Sequence, residues 1–94
     1  NTVHNFLIIY DISDDKRRKK VNDVLEGIGI RVNFSVFEVQ INTVQLTTIE
    51  EELISIIQPN IDSIRIYHIC KNCVSKSKSL SNQANPFEVG DYFV

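Results

Sequence analysis

Ile30-Arg31-Val32-Asn33-Phe34-Ser35-Val36-Phe37-Glu38-Val39-Gln40-Ile41 is the stretch on which the fold turns. Its β-branched and aromatic residues mark extended chain. Val32, Phe34 and Val36 share one phase of the alternation, whereas Phe37, Val39 and Ile41 share the other. Side chains alternate strictly along a strand, so this change of phase requires a bulge or a tight turn near Asn33–Ser35. The stretch is either one bent strand or two short ones.

Upstream, Phe6-Leu7-Ile8-Ile9-Tyr10 is an unbroken apolar run of strand length. It reads as a central strand covered on both faces, or on one face plus a partner. Asp11 ends it. Ser13 offers an N-cap, Asp14 and Asp15 suit the positive end of a helix dipole, and Val21, Val24, Leu25 and Ile28 follow at helical spacing. Gly27 and Gly29 supply the stop.

Downstream, Asn42 and Gln45 form a capping-box pair that opens a second helix on Leu46, Ile49, Leu53, Ile56 and Ile57. Glu50, Glu51 and Glu52 lie mostly off that stripe, and Pro59-Asn60 breaks the helix. Asp62 to Ile69 alternates again as a strand. Val74 to Leu80 is expected as a short edge strand, Ser81 to Pro86 as a polar loop, and Val89 to Val94 as a terminal strand. The order predicts an α+β fold, a ferredoxin-like sandwich of βαββαβ type. Two helices cover one face of an antiparallel sheet, with a C-terminal strand added.

Ninety-four residues make one domain, residues 1–94. A chain this short is marginal alone and gains stability by pairing. Ten basic against twelve acidic residues exclude a uniformly basic nucleic-acid coat, but not a local patch. Two cysteines cannot build a disulfide framework, and with no signal peptide ahead of them a reduced cytosol is expected. No apolar run approaches the roughly 20 residues of a membrane span. The chain opens on Asn1 rather than Met, so its start is expected to be missing or processed.

Asp11 ends a buried strand just before a helix, a position rigid yet open to solvent that suits a metal ligand or general base, or merely a turn cap. Lys16-Arg17-Arg18-Lys19-Lys20 places five cations beside it, on a helix where some face solvent. Carboxylate and cations together describe a site for a divalent metal and a phosphodiester, although a charge run is also an ordinary solvated helix face. Arg31 and Arg65 interrupt apolar strands, where a charge must be exposed or paired. Cys70-Lys71-Asn72-Cys73, with His68 nearby, is half of a zinc site, and only a dimer pooling four cysteines would complete it. A redox C-x-x-C opens a helix after a strand, whereas here the following residues read as loop or strand. His4 falls in the terminus. No serine or cysteine nucleophile has a histidine partner, and three glycines form no phosphate loop.

Tyr10-Asp11-Ile12-Ser13-Asp14-Asp15-Lys16-Arg17-Arg18, followed by Arg31-Val32-Asn33-Phe34-Ser35-Val36-Phe37-Glu38 and by Ser63-Ile64-Arg65-Ile66-Tyr67, closely resembles the CRISPR-associated protein 2 family. The resemblance runs from about Phe6 to Cys73. It implies a ferredoxin-like protomer that turns between two short strands at Asn33 and forms a symmetric homodimer. The dimer is often extended by swapped C-terminal strands, a role suited to Val89–Val94. It implies metal-dependent cleavage of single-stranded RNA or double-stranded DNA, a CRISPR adaptation integrase as partner, and a prokaryotic cytoplasm. Asp11 matches the family's metal residue, for Mg²⁺ or another divalent cation such as Mn²⁺. Tyr10, Arg18, Arg31 and Phe37 match positions implicated in activity. Lys16, Arg17, Arg18, Lys19, Lys20 and Arg31 are the nucleic-acid-binding candidates. Lys20 fills a basic position of the family but lacks the planar guanidinium fork.

One Asp11 per chain is too sparse for Mg²⁺, which wants six oxygen ligands. A two-fold interface bringing two together would make a shared site. Three functions compete: a metal-dependent endonuclease, a non-catalytic adaptor that binds duplex DNA and an integrase, and a ferredoxin-like module for a small ligand. Only the first two predict salt-dependent nucleic-acid affinity.

Overall fold

The computed structural model describes residues 2–88. Its elements run β1 (His4–Asp11), α1 (Asp15–Glu26), β2 (Gly29–Asn33), β3 (Val36–Ile41), α2 (Thr43–Ile56), β4 (Ser63–Ile69) and α3 (Lys71–Lys76). The four strands form one sheet in the order β2-β3-β1-β4, every neighbouring pair antiparallel. This is the ferredoxin-like arrangement expected from the element order.

The stretch that decides the fold is two strands. Asn33 pairs with Val36 across a two-residue turn at Phe34-Ser35, and a register irregularity between Arg31 and Asn33 absorbs the change of phase. The Asn33 Oδ1 accepts from the Phe34 N–H at 2.7 Å, a local turn bond of the kind short polar side chains make.

Strand pleat divides β1 cleanly. Phe6, Ile8 and Tyr10 are buried with Val39 and Phe37 of β3, under Val21 and Leu25 of α1 and Ile49 and Leu53 of α2. Leu7 and Ile9 point the other way and are only half-buried. The apolar run therefore has one face in the core and one on an open sheet surface. That open face carries Val36 and Tyr67 as well, while Ile30 and Val32 of the edge strand are exposed.

Several local expectations shift. The α1 N-cap is Asp14 rather than Ser13, its side chain accepting from the Arg17 N–H. In α2, by contrast, the expected Asn42/Gln45 capping box is formed in both halves. Gly29 starts β2 instead of merely ending the helix. A Cβ there would stand 2.6 Å from the Glu38 carbonyl oxygen and 2.7 Å from Val39 Cγ2, so only glycine admits that close an approach.

The expected edge strand from Val74 to Leu80 is not formed. Cys70 caps a short helix instead, its sulfur accepting from the Cys73 N–H, and Val74 lies within that helix. The local cap satisfies backbone donors that an edge strand would leave bare. His4, expected in a terminus of no consequence, opens β1 and meets the His68 ring edge-on at 5.1 Å. Beyond α3 the chain is irregular, as expected from Ser81 to Pro86 but not for the end of the expected edge strand up to Leu80, and it returns to the open sheet face. There the Phe87 N–H donates to Glu38 Oε1 at 2.9 Å, and Phe87 is buried with φ of 57°. The expected strand from Val89 to Val94 lies outside the described residues.

Candidate functional site

Tyr10 is the buried anchor of the candidate site. Its ring stacks on Phe37 at 6.4 Å, and its hydroxyl donates to Asn22 Oδ1 at 3.0 Å and to the Phe34 carbonyl at 3.3 Å. The Arg31 guanidinium lies 5.7 Å above the Phe37 ring, donates to the same Asn22 oxygen, and approaches Glu26 at 3.7 Å. A planar cation over an aromatic face is held in orientation while its remaining donors stay in water. Arg18 is fixed from below, donating to the Ile12 and Ser13 carbonyls at 3.1 Å each and pairing with Asp15. Tyr10, Arg18, Lys19, Asn22, Arg31 and Phe34 line a shallow open cleft at this end of the sheet.

Asn22 carries this arrangement and was not among the candidates read from the sequence. Its position gave a signal: it follows Arg18 by four residues, so the two share one face of α1.

The five-cation run does not act as one surface. Arg17 is committed to Asp62, its Nε donating to Oδ2 at 2.7 Å and its Nη2 to Oδ1 at 3.1 Å. Lys19 pairs with Asp23 at 3.0 Å along the helix. Lys16 and Lys20 are exposed and form no ion pair among the described residues. Arg17 thus leaves the set of groups free for a ligand, and it ties α1 to the segment that enters β4.

Asp62 also accepts from the Gln58 N–H at 2.9 Å. The Arg17 guanidinium, helped by that N–H, holds its carboxyl below the ordinary carboxylate value. A lowered native pKa stabilises the fold at every pH above the unfolded value, and that contribution is lost as pH falls through the native one. Asp62→Asn is therefore expected to lower the urea midpoint most at neutral pH. The gap from the parent chain should close as acid protonates the carboxylate. A gap independent of pH would mean that the ion pair does not carry the difference.

Asp11 stands apart from the cleft. The pleat that sends Tyr10 under the helices sends Asp11 to the opposite, open face, where it pairs with Ser63 at the end of β4 and is exposed. Among the described residues no three His, Cys, Asp or Glu side chains gather as a metal-holding group. No helix among the described residues is long and apolar enough to cross a membrane.

A family profile described as CRISPR associated protein Cas2 matches residues 4–77. The CRISPR-associated endoribonuclease Cas2 4 of Rhodospirillum rubrum is 41% identical over 78 residues, which are 83% of this chain and 63% of that protein. The solved Cas2 of Streptococcus pyogenes is 30% identical with a TM-score of 0.72, over 82% of this chain and 99% of that one. A chain of a partial Cas6-RT-Cas1–Cas2 complex is 34% identical with a TM-score of 0.70, over 89% of this chain and 96% of that one.

Proposed function

The chain belongs to the CRISPR-associated Cas2 family, and from that premise we propose that it serves CRISPR spacer adaptation as a nucleic-acid-binding homodimer with endonuclease capacity centred on Asp11. The observation that carries this reading is the open sheet face. Leu7, Ile9 and Val36 are half-buried there on the face away from α1 and α2, with the Phe87 segment seated at Glu38 and Gln40; Tyr67 is exposed, and Asp11 stands at the end of the same face. A second copy packed on that face would finish the burial that a chain of this size needs. Isologous pairing would also set Asp11 of one copy toward Asp11 of the other.

Two carboxylates suit a hard divalent cation such as Mg²⁺, which would supply Lewis-acid charge at a phosphodiester. The chain's own groups do the remaining work. Arg31 and Arg18, oriented by Phe37, Asn22 and the Ile12 and Ser13 carbonyls, offer donors to backbone phosphates. Lys16 and Lys20, in no ion pair among the described residues, add charge along α1. Tyr10 spends its hydroxyl within the fold and acts by holding Asn22 and the Phe34 turn in place. Phe37 likewise positions Arg31 rather than touching a ligand.

A second reading is favoured by one feature, that Asp11 and the Arg18–Arg31 cleft lie on opposite faces of the sheet. A protein that grips nucleic acid at the cleft without cutting it fits that separation, as an adaptor for a Cas1-type integrase. Likeness to a chain of a solved Cas1–Cas2 complex supports the integrase partner.

Titration of a labelled duplex across salt tests both readings. Affinity is expected to fall linearly in log Kd against log salt, and Lys16→Ala and Lys20→Ala should each reduce the slope by about one. Absent binding at low salt, or binding indifferent to salt, would leave the small-ligand module instead.

A further inference from the structure

We propose that Cys70 and Cys73 are a redox modification site, forming a reversible disulfide within one chain. The two sulfurs lie 3.1 Å apart and both residues are exposed. The backbone already holds them in register, since Val74 N–H donates to the Cys70 carbonyl at 3.0 Å and Cys73 N–H to the Cys70 sulfur at 3.4 Å. Closing the bond brings the sulfurs from 3.1 Å to the roughly 2.05 Å of a disulfide.

Other uses of the pair find less support. His68, the nearest candidate for a third metal ligand, stacks its ring on Phe6 at 5.1 Å, and the described residues hold no group of three metal-ligating side chains. The sequence alone argued against redox chemistry because no helix was expected after Cys70, and the structure supplies that helix.

The oxidant is a small-molecule disulfide such as oxidised glutathione. Deprotonated Cys70 attacks one of its sulfurs, the small disulfide's S–S bond breaks, and a small thiolate leaves. Cys73 gives its proton to solvent and attacks the Cys70 sulfur. The mixed disulfide breaks and the second small thiolate leaves. Two protein thiols are thereby oxidised to one disulfide, and one small disulfide is reduced to two thiols. Cys70 is the attacking group: the Cys73 N–H donates to its sulfur, and the contact between the two side chains lowers the Cys70 pKa while it raises that of Cys73.

The bond would tie the end of β4 to the first turn of α3, where the chain departs toward Phe87 and the open sheet face.

The test equilibrates the full folded chain with graded ratios of reduced and oxidised glutathione, then alkylates free thiols and reads mass. The expected result is loss of both alkylatable thiols in one step at unchanged chain mass class, reversed by reductant. Cys73→Ser should accumulate a glutathione adduct at Cys70, which keeps the backbone N–H of residue 73 on its sulfur, whereas Cys70→Ser, whose remaining thiol accepts from no backbone N–H among the described residues, should form its adduct more slowly. Thiols that stay alkylatable across the whole range, or oxidised material linked only between chains, would overturn the proposal. Equal adduct rates in the two variants would overturn the assignment of Cys70. Circular dichroism of both variants checks that these exposed substitutions leave the fold intact.

Discussion

Replacing Phe37 with alanine is expected to remove about 3–5 kcal/mol of stability, the usual cost of emptying a buried aromatic site. Phe37 is fully buried, opposite Ile8 on β1, stacked on Tyr10 and lying beneath Arg31. The neighbours are held by strand and helix backbones, so they can collapse only partly into the space. For a domain of about 100 residues the Tm should fall by roughly 15 °C or more. Phe37→Leu keeps most of the volume and should cost far less, yet it removes the aromatic face under Arg31. Its signature is a weaker duplex affinity with a nearly normal Tm. Thermal unfolding and the duplex titration together separate the two effects. A Phe37→Ala chain as stable as the parent would contradict the packing described.

The second large effect concerns chemistry rather than folding. Asp11→Asn is expected to depress any divalent-metal-dependent cleavage by ~100-fold or more, since even outer partners of a metal site are worth 10–100-fold. The exposed side chain has no hydrogen-bond partner among the described residues, so the fold should lose little; exposed substitutions away from special features usually shift stability by about 0.5 kcal/mol or less. Duplex binding at the cleft should persist, because Asp11 faces the other side of the sheet. Where two copies bring their Asp11 carboxylates together, the amide also removes a repulsion. Without divalent metal, the variant should then dimerise at least as tightly as the parent. Sedimentation with and without Mg²⁺, beside a cleavage assay, reads both outcomes. Unchanged cleavage would remove Asp11 from the chemistry, and normal spacer acquisition by the variant would make the adaptor role primary.

Asp11 and Tyr10 show why a motif could be read and its geometry could not. They are adjacent in sequence, and their resemblance to a known pattern joined them into one site. The pleat of a strand sends neighbours to opposite faces, so the fold separates them by the thickness of the sheet. Arg17 and Arg18 diverge for a related reason. Successive residues on a helix point about 100° apart, and only one of them meets Asp62, a residue 45 positions away from Arg17. No local rule announces that partner.

Local periodicity and capping chemistry were enough to place the first strand, both helices and the Asp62–Ile69 strand and so to point to a ferredoxin-like sandwich, while the division of Ile30–Ile41 into two strands was settled by their pairing. Alternation, helical spacing and the Asn42/Gln45 box all act within a few residues and need no distant partner. Residues in a C-x-x-C segment carry weak intrinsic preference, so whether they form strand or helix depended on the cap that Cys70 makes. What only the tertiary structure decided is which charges are free. Arg17 is consumed by Asp62, Arg31 is steered by Asn22 and Phe37, and Asp11 is left facing an open sheet. Those outcomes rest on contacts between segments far apart in the chain, and side-chain pairing across such distances follows from how the elements pack, not from the residue order around each charge.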